Sequence, residues 1–312
     1  MARVIGVDVG GTKVAVAPLE DGVLGEVHTR PTQKASPDAL VDQLVEAIED
    51  CGAADAVGLG IPSVIDASRG MAMSSVNIPL QHVPLRDILG RRLDIPVHVD
   101  NDASVAALAE AHGPEGEVVA DSVVMFTVGT GVGGGLVFGG RIYRGATSSA
   151  AEFGHTIIFA DPRDGAPKPE GFPQPGSIER EAAGRALDAL AAERGLKDGR
   201  GAVAAAERGD GDGVECLRIV GERLGLAIAN AINTFDPELV VVGGGVSAAG
   251  ELLLRPARRI AQEFTMRGLG SKTEIRIARY GPDAGVRGAA LLALTEETGR
   301  GVEGRPEPEA AG

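Results

Sequence analysis

Three glycine-rich turns follow apolar segments of the sequence and are the first candidates for chemistry. They are Gly10-Gly11-Thr12-Lys13, Gly129-Thr130-Gly131-Val132-Gly133 and Gly243-Gly244-Gly245. Glycine lets backbone N–H groups approach an anion closely, so three such turns favour a nucleotide or polyphosphate ligand over ordinary tight turns. None matches the P-loop pattern G-x-x-x-x-G-K-S/T, and none opens a helix as G-x-G-x-x-G, which disfavours both of those nucleotide-binding classes.

Carboxylates lie at the ends of two apolar segments. Asp8 comes two residues before the first glycine turn, where it can either hold a water-coordinated Mg²⁺ beside phosphates or cap the turn. Asp100-Asn101-Asp102 stands between a predicted strand and a predicted helix, where active-site residues are common. One carboxylate there can take a proton from a hydroxyl that Asn101 orients, or the segment can cap the helix. The residues alone leave both alternatives open.

A carboxylate and an imidazole stand three residues apart in Glu152-Phe153-Gly154-His155, and Glu179 follows a proline-rich loop. Together with Asn101 and a neighbouring aspartate, they offer the directional donors and acceptors that a polyhydroxylated ligand needs. A single histidine is more often a structural residue, so His155 also has that interpretation.

Strands and helices alternate around these positions, which predicts an α/β fold. The sequence opens with a predicted hairpin at 4–9 and 14–16. The other predicted elements are strands at 57–61, 97–99, 123–128, 136–138 and 239–242, and helices at 37–51, 102–112, 179–194, 214–234, 249–266 and 284–298.

A second strand–glycine–strand segment, at 123–138, echoes the first at 4–16, which suggests two related halves. The Gly- and Glu-rich segment 113–117 is the predicted boundary. It gives an N-terminal domain at 1–117 and a C-terminal domain at 118–298, whose last helix can pack back on the N-terminal domain. A Pro/Gly-rich loop is predicted at 161–176 and a disordered tail at 299–312.

The chain has 312 residues with 30 basic and 44 acidic side chains, so its net charge is −14. Such an acidic protein is a poor partner for nucleic acid or an anionic membrane. Between Asp121 and Arg141 lie 19 uncharged residues, but seven are glycine, which favours two strands over a membrane helix. Cys51 and Cys216 are far apart and the N-terminus has no signal-peptide pattern, so a cytoplasmic location is expected.

Seven segments, in order along most of the chain, resemble the motifs of the ROK sugar kinases, within the actin-like ATPase superfamily. They are residues 7–13, 58–62, 76–79, 99–103, 127–135, 152–155 with 176–179, and 236–245. The resemblance implies two actin-like (ribonuclease H-like) lobes with the active site in the cleft between them. It also implies ATP and Mg²⁺ as cofactors and transfer of the γ-phosphoryl group to a hexose hydroxyl.

The resemblance further assigns roles to individual residues. Asp102 is the expected general base. The residues expected to bind the sugar are Asn77, Asn101, Asp102, Glu152, His155 and Glu179. Those expected to bind the phosphates are Asp8, Gly10, Gly11, Thr12, Lys13, Thr130 and Gly131, with Asp8 holding Mg²⁺ through water. Facing the nucleoside are Gly243, Gly244 and Gly245.

The sequence departs from the family in one respect. A C-x-C-G-x-x-G-C-x-E cluster, whose three cysteines bind a structural zinc together with a histidine, is missing. No cysteine lies between Cys51 and Cys216, and Ser177 stands where a cysteine would be. A tetrahedral site of three cysteines and one histidine cannot form. We therefore expect no structural zinc, and expect the proline-rich loop to position His155.

Phosphorylation of glucose to glucose 6-phosphate is the first functional expectation. The alternatives are a kinase for mannose, fructose, N-acetylglucosamine or allose, a kinase that uses polyphosphate as donor, and a non-enzymatic sugar-binding sensor. The presence of Asp8, Asn101 and Asp102 argues against a sensor, because a pure binder need not retain the base. The resemblance also implies a homo-oligomer, a dimer or tetramer. Neither nucleic acid nor a membrane is expected as a partner.

Overall fold

The computed structural model of the chain describes residues 2–160 and 168–298. They fold into two compact units. The first contains residues 2–123, 135–150 and 282–298, and the second contains residues 124–134 and the described part of 151–281. Three segments that follow the predicted boundary thus lie in the first unit: residues 118–123, 135–150 and 282–298. The predicted tail and residues 161–167 of the predicted loop lie outside the described residues.

The secondary structure alternates as expected for an α/β chain. The strands are β1 (Arg3–Val9), β2 (Lys13–Glu20), β3 (Val23–Leu24), β4 (His28–Pro31), β5 (Ala56–Ile61), β6 (Val64–Asp66), β7 (Met71–Ser74), β8 (Gln81–Val83), β9 (Val97–Asn101), β10 (Ser122–Val128), β11 (Val132–Phe138), β12 (Arg141–Ile142), β13 (Leu239–Gly243) and β14 (Glu274–Ile277). The helices are α1 (Pro37–Glu49), α2 (Leu85–Leu93), α3 (Asp102–Glu110), α4 (Ile178–Ala182), α5 (Gly184–Glu193), α6 (Gly199–Glu207), α7 (Gly211–Phe235), α8 (Glu251–Phe264) and α9 (Ala284–Thr298).

The main sheet of the first unit has the order β3-β2-β1-β5-β9, with β4 also paired to β2. β1 and β2 form the predicted antiparallel hairpin, whereas β1, β5 and β9 are parallel. Their register places Asp8 opposite Gly60, and Gly60 opposite Asp100. Since carboxyl ends of parallel strands meet at one edge of a sheet, Asp8 and the Asp100–Asp102 segment lie at the same edge.

The last helix, α9, packs directly on the backbone of the first unit. A Cβ atom added at Gly6 would lie 2.0 Å from the carbonyl oxygen of Val286, and one at Gly58 would lie 1.8 Å from that of Ala289. Both glycines belong to the central strands β1 and β5. No side chain fits between α9 and these strands, so the helix lies closer to the sheet than ordinary side-chain packing allows.

The second sheet has the order β12-β11-β10-β13-β14, with β13 and β14 parallel. Its strands β10 and β11 contain the long uncharged segment, as the glycine content predicted. In the second unit, the helices α7 and α8 pack against each other. Among the described residues, no helix has both the length and the apolar character needed to cross a bilayer.

One helix prediction needs correction. The segment predicted as a single helix at 179–194 is two helices, α4 and α5, because Ala183 has an extended backbone between them. The N–H group of Gly184 there donates to the carbonyl oxygen of Gly129 at 2.7 Å rather than to the preceding helical turn. The break between α4 and α5 therefore allows this hydrogen bond to the second glycine turn.

Candidate functional site

The first glycine turn connects β1 to β2 and is closed by hydrogen bonds at Gly10. The Gly10 N–H donates to the Lys13 carbonyl at 2.8 Å, and the Thr32 hydroxyl donates to the Gly10 carbonyl at 2.7 Å. Asn77 lies directly over the turn, since a Cβ added at Gly11 would be 3.0 Å from the Asn77 Cβ. Thr12, Lys13 and Asn77 are exposed. The structure thus brings Asn77 to the first predicted phosphate site.

Asn101 is the N-cap of α3. Its Oδ1 accepts hydrogen bonds from the N–H groups of Ala103 at 2.9 Å and Ser104 at 3.3 Å, and its Nδ2 donates to the Ser63 carbonyl at 3.3 Å. The capping interpretation of Asn101 is therefore correct, and its amide oxygen serves the helix. A contact between Asn101 and a sugar stays a prediction.

Asp8 and Asp102 are partly buried carboxylates that repel each other. Burial and the neighbouring charge of Asp102 raise the pKa of Asp8 to about 6, although Lys13 opposes the shift. Burial also raises the pKa of Asp102, against the hydrogen bonds it receives from the backbone and from Asn101. Two carboxylates with raised pKa values at the same edge of the sheet suit either proton transfer or the binding of a cation.

Asp8→Asn tests this electrostatic environment through stability. The folded-state pKa of Asp8 is about 6 and its unfolded value is near 3.8, so ionised Asp8 destabilises the folded protein above about pH 6. The variant is expected to be more stable than wild type at pH 7.5, by up to about 3 kcal/mol. The difference should shrink as the pH falls from 7 through 6 towards 4. Calorimetric melting at pH 7.5 and 5 checks this, and a difference independent of pH would contradict it.

Behind Asn101 and Asp102 lies a partly buried ion-pair network that sequence reasoning did not find. Arg144 donates through Nε to Asp100 at 2.6 Å and through Nη2 to Glu296 of α9 at 2.8 Å. The second oxygen of Asp100, whose side chain is only 5% exposed, accepts from the N–H of Asn101 at 2.8 Å. Burial raises the pKa of Asp100, and the charge and hydrogen bond of Arg144 oppose that increase.

In the second unit, Glu152 precedes a short 3₁₀ helix, Phe153–His155, and His155 ends it; both side chains are exposed. The His155 Nε2 lies 3.8 Å from a carboxylate oxygen of Glu152. The ring of Phe172 meets the imidazole edge to face, with centroids 4.8 Å apart. The imidazole is thus placed by a carboxylate and an aromatic ring.

The chain that follows His155 pairs with the chain that precedes Glu179. The N–H of Ile158 donates to the Gly176 carbonyl at 2.8 Å, and the N–H of Ile178 donates to the Thr156 carbonyl at 3.0 Å. Ser177, at the position of the missing cysteine, instead caps α4 by accepting from the N–H of Arg180 at 3.3 Å. Backbone pairing therefore joins the two segments that contain the predicted sugar residues His155 and Glu179.

The second and third glycine turns line one cavity of about 510 Å³, a volume typical of small-molecule sites. Gly129 and Thr130 contribute from one turn and Gly245 from the other. Gly244 has a φ of +83°, and a Cβ there would lie 2.5 Å from the Val128 carbonyl oxygen, so this position requires glycine. Two of the three predicted anion-binding turns thus meet within the second unit.

The same cavity contains residues that sequence reasoning missed. Arg185 follows the break between α4 and α5, and Arg200 lies in the first turn of α6, which was not predicted. Asp188 fixes the start of α6 by accepting from the Gly199 N–H at 2.7 Å. No motif marks these residues, because their approach depends on how α5 and α6 pack.

The sequence comparison decides the family. The model of the ROK family matches residues 4–296. The chain belongs to the ROK family. Its predicted fold class, α/β with actin-like lobes, is confirmed by solved ROK structures of that fold.

Three proteins illustrate the similarity. A glucokinase from Halalkalibacterium halodurans is 33% identical over 94% of this chain and 95% of its own. An N-acetyl-D-glucosamine kinase from Yersinia pseudotuberculosis is 32% identical over 94% of this chain and 99% of its own. The crystal structure of a ROK family glucokinase from Streptomyces griseus, in complex with glucose and AMPPNP, has a TM-score of 0.75 and 31% identity. The aligned region covers 94% of this chain and 99% of the Streptomyces griseus chain.

This ROK chain differs from the family pattern at the zinc cluster. In residues 2–160 and 168–298, no group of three or more His, Cys, Asp or Glu side chains has an arrangement suited to a metal ion. The residues at the corresponding positions do not fit zinc, because Ser177 replaces a thiolate and its hydroxyl accepts from the backbone of α4.

Proposed function

We propose that the chain is an ATP-dependent sugar kinase that transfers the γ-phosphoryl group of ATP to a hexose, with glucose as the first candidate. The observation that carries the proposal is the Asp8–Asp102 pair beside the first glycine turn. A partly buried carboxylate near a phosphate-binding turn is what hydroxyl activation during phosphoryl transfer requires. The glucokinase and N-acetylglucosamine kinase relatives support a sugar as acceptor.

In this mechanism Asp102 accepts the proton of the attacking hydroxyl. Its position at the N-terminus of α3 is fixed by the Ala103 N–H, which donates to its Oδ1 at 2.9 Å. Burial raises the pKa of Asp102 towards the pH at which a general base is efficient. Asn77, Asn101, Glu152, His155 and Glu179 hold the other hydroxyls in the proposal.

The second and third glycine turns are proposed to form the nucleotide site. We assign ATP binding to Thr130, Gly131 and Gly243 to Gly245. The 510 Å³ cavity supports this assignment, because residues of both turns line it together with Arg185 and Arg200. Arginine pairs with phosphate oxygens through two parallel hydrogen bonds. Gly10 to Lys13 are proposed to bind phosphate oxygens through backbone N–H groups and the Lys13 ammonium.

Asp8 is suited to Mg²⁺ held through water. The pKa of Asp8 is raised partly by the charge of Asp102, so a cation would relieve a repulsion that the folded protein maintains. When bound, Mg²⁺ neutralises phosphate charge and helps to orient the γ-phosphoryl group. A cytoplasmic location, expected from the separated cysteines, and a dimer or tetramer, implied by the family resemblance, belong to the same proposal.

The first test measures ADP release in a coupled assay with ATP, Mg²⁺ and a panel of sugars, on chelator-washed protein. The panel contains glucose, N-acetylglucosamine, mannose, fructose and allose, and polyphosphate replaces ATP in a parallel series. We expect turnover with ATP and the highest kcat/KM with glucose. Turnover confined to another sugar would correct the substrate, whereas sugar binding without ADP release would contradict the kinase and favour a sensor.

A further inference from the structure

Val132, within the second glycine turn, is contacted by both parts of the proposed sugar site in the second unit. Its N–H group donates to Oε2 of Glu179 at 2.9 Å. On its other side, a Cβ added at Gly154 would lie 2.1 Å from the Val132 carbonyl oxygen, so the 3₁₀ helix that carries His155 lies directly on this residue. The start of β11 is therefore held between the two sugar-binding segments.

The second glycine turn is also contacted at Gly129 by the segment that contains Glu179 and Gly184. Gly184 donates its N–H to the Gly129 carbonyl at 2.7 Å, and within the turn the Gly129 N–H donates to the Gly131 carbonyl at 2.8 Å. Glu179 lies in the first turn of α4, and Gly184 begins α5 directly after the break. One short stretch of chain, 179–184, thus fixes the turn from Gly129 to Val132 at both ends.

We propose that Glu179 couples the sugar site to the phosphate-binding turn. Its Oε2 holds the turn through Val132, while Oε1 is the oxygen offered to a sugar hydroxyl. A bound sugar fixes the carboxylate and so orders the turn for the nucleotide. The inference rests on the proposed function, because it assigns one residue to both substrate sites. By linkage, a nucleotide must then strengthen sugar binding by the same factor, at least about fivefold.

Two glycine variants provide a matched test. A Cβ at Gly131 would lie 2.4 Å from Oε2 of Glu179, so Gly131→Ala must push the carboxylate off its position. A Cβ at Gly211, the first residue of α7, meets nothing within 4 Å. We expect Gly131→Ala to weaken glucose binding at least about fivefold without any nucleotide, and Gly211→Ala to leave it unchanged. Isothermal titration with glucose, or with the best sugar of the panel, measures both.

The reciprocal effect is measured with AMPPNP in the absence of sugar. Gln at position 179 keeps an amide oxygen that can accept from the Val132 N–H, whereas Ala has no acceptor. We expect Glu179→Ala to weaken AMPPNP binding and Glu179→Gln to retain it. In wild type, saturating glucose should strengthen AMPPNP binding at least about fivefold, and Glu179→Ala should abolish that gain.

The outcomes separate this inference from the proposed function. If wild type phosphorylates a sugar but Gly131→Ala binds it as wild type does, the coupling is wrong and the kinase stands. If wild type neither binds nor phosphorylates any sugar, both fail. Should Gly131→Ala not fold, the Glu179 pair decides, because equal AMPPNP affinities for Glu179→Ala and Glu179→Gln overturn the coupling.

Discussion

Asp102→Asn is expected to lower kcat by about 10²–10⁴-fold, the usual contribution of a positioned general base. Asparagine keeps the size of the side chain and an oxygen that can accept from the Ala103 N–H, but it cannot take the hydroxyl proton. The KM for the sugar should change far less than kcat. Steady-state kinetics over a range of sugar and ATP concentrations, with circular dichroism to verify folding, measure the effect.

The matched control is Asp94→Asn in the same unit. Asp94 is exposed at the end of α2 with a φ of 56°, a left-handed conformation that asparagine tolerates. This variant should keep the kcat of wild type. Near-wild-type turnover by Asp102→Asn would refute the assignment of the base, and Asp8 would become the next candidate because its pKa is raised to about 6.

Arg144→Met is expected to destabilise the protein by about 3–5 kcal/mol, because it removes the only arginine that reaches Asp100 among the described contacts. Asp100 then either carries an uncompensated charge or takes up a proton. Its hydrogen bond to the Asn101 N–H, which holds the segment before the proposed base, weakens as well. Differential scanning calorimetry at pH 7.5 measures the loss.

Two comparisons isolate the cause of that loss. Asp100→Asn combined with Arg144→Met removes the buried charge of Asp100 as well, so the double variant should recover most of the stability. Arg69 forms an ion pair with Asp66 at 3.7 Å with its side chain 73% exposed, and Arg69→Met should cost no more than about 1 kcal/mol. Equal losses in the single and double variants would show that Arg144 acts through packing alone.

The central elements of the fold could be predicted because local chemistry determines them. Ser36, Pro37 and the apolar spacing of α1 define a helix, and the helix begins where Ser36 accepts from the Ala39 N–H. The first hairpin and the strands before each glycine turn were equally clear. Some elements were not predicted from the sequence: α2, α6, β3, β4, β6 to β8, β12 and β14. They are short or weakly patterned, and tertiary packing decides them.

The candidate site was predictable at its turns and less so at its supports. The glycine turns and the Asp100–Asp102 segment are local patterns, and the structure places them at strand ends as expected. Arg144, Glu296 and Arg200 lie far along the chain from the residues they serve, and an isolated arginine carries no motif. Asn101 shows a second limit, because the same residue type suits a helix cap and a ligand contact.

The position of α9 has a consequence for synthesis on the ribosome. The strands β1 and β5 are made early, yet the helix that covers Gly6 and Gly58 is translated after the entire second unit. Until α9 emerges, those strands lack the backbone that packs on them, and their apolar surface stays open to chaperones or to misassembly. The second unit, which needs no segment beyond residue 281, can be complete first, so the order of folding is expected to reverse the order of the chain.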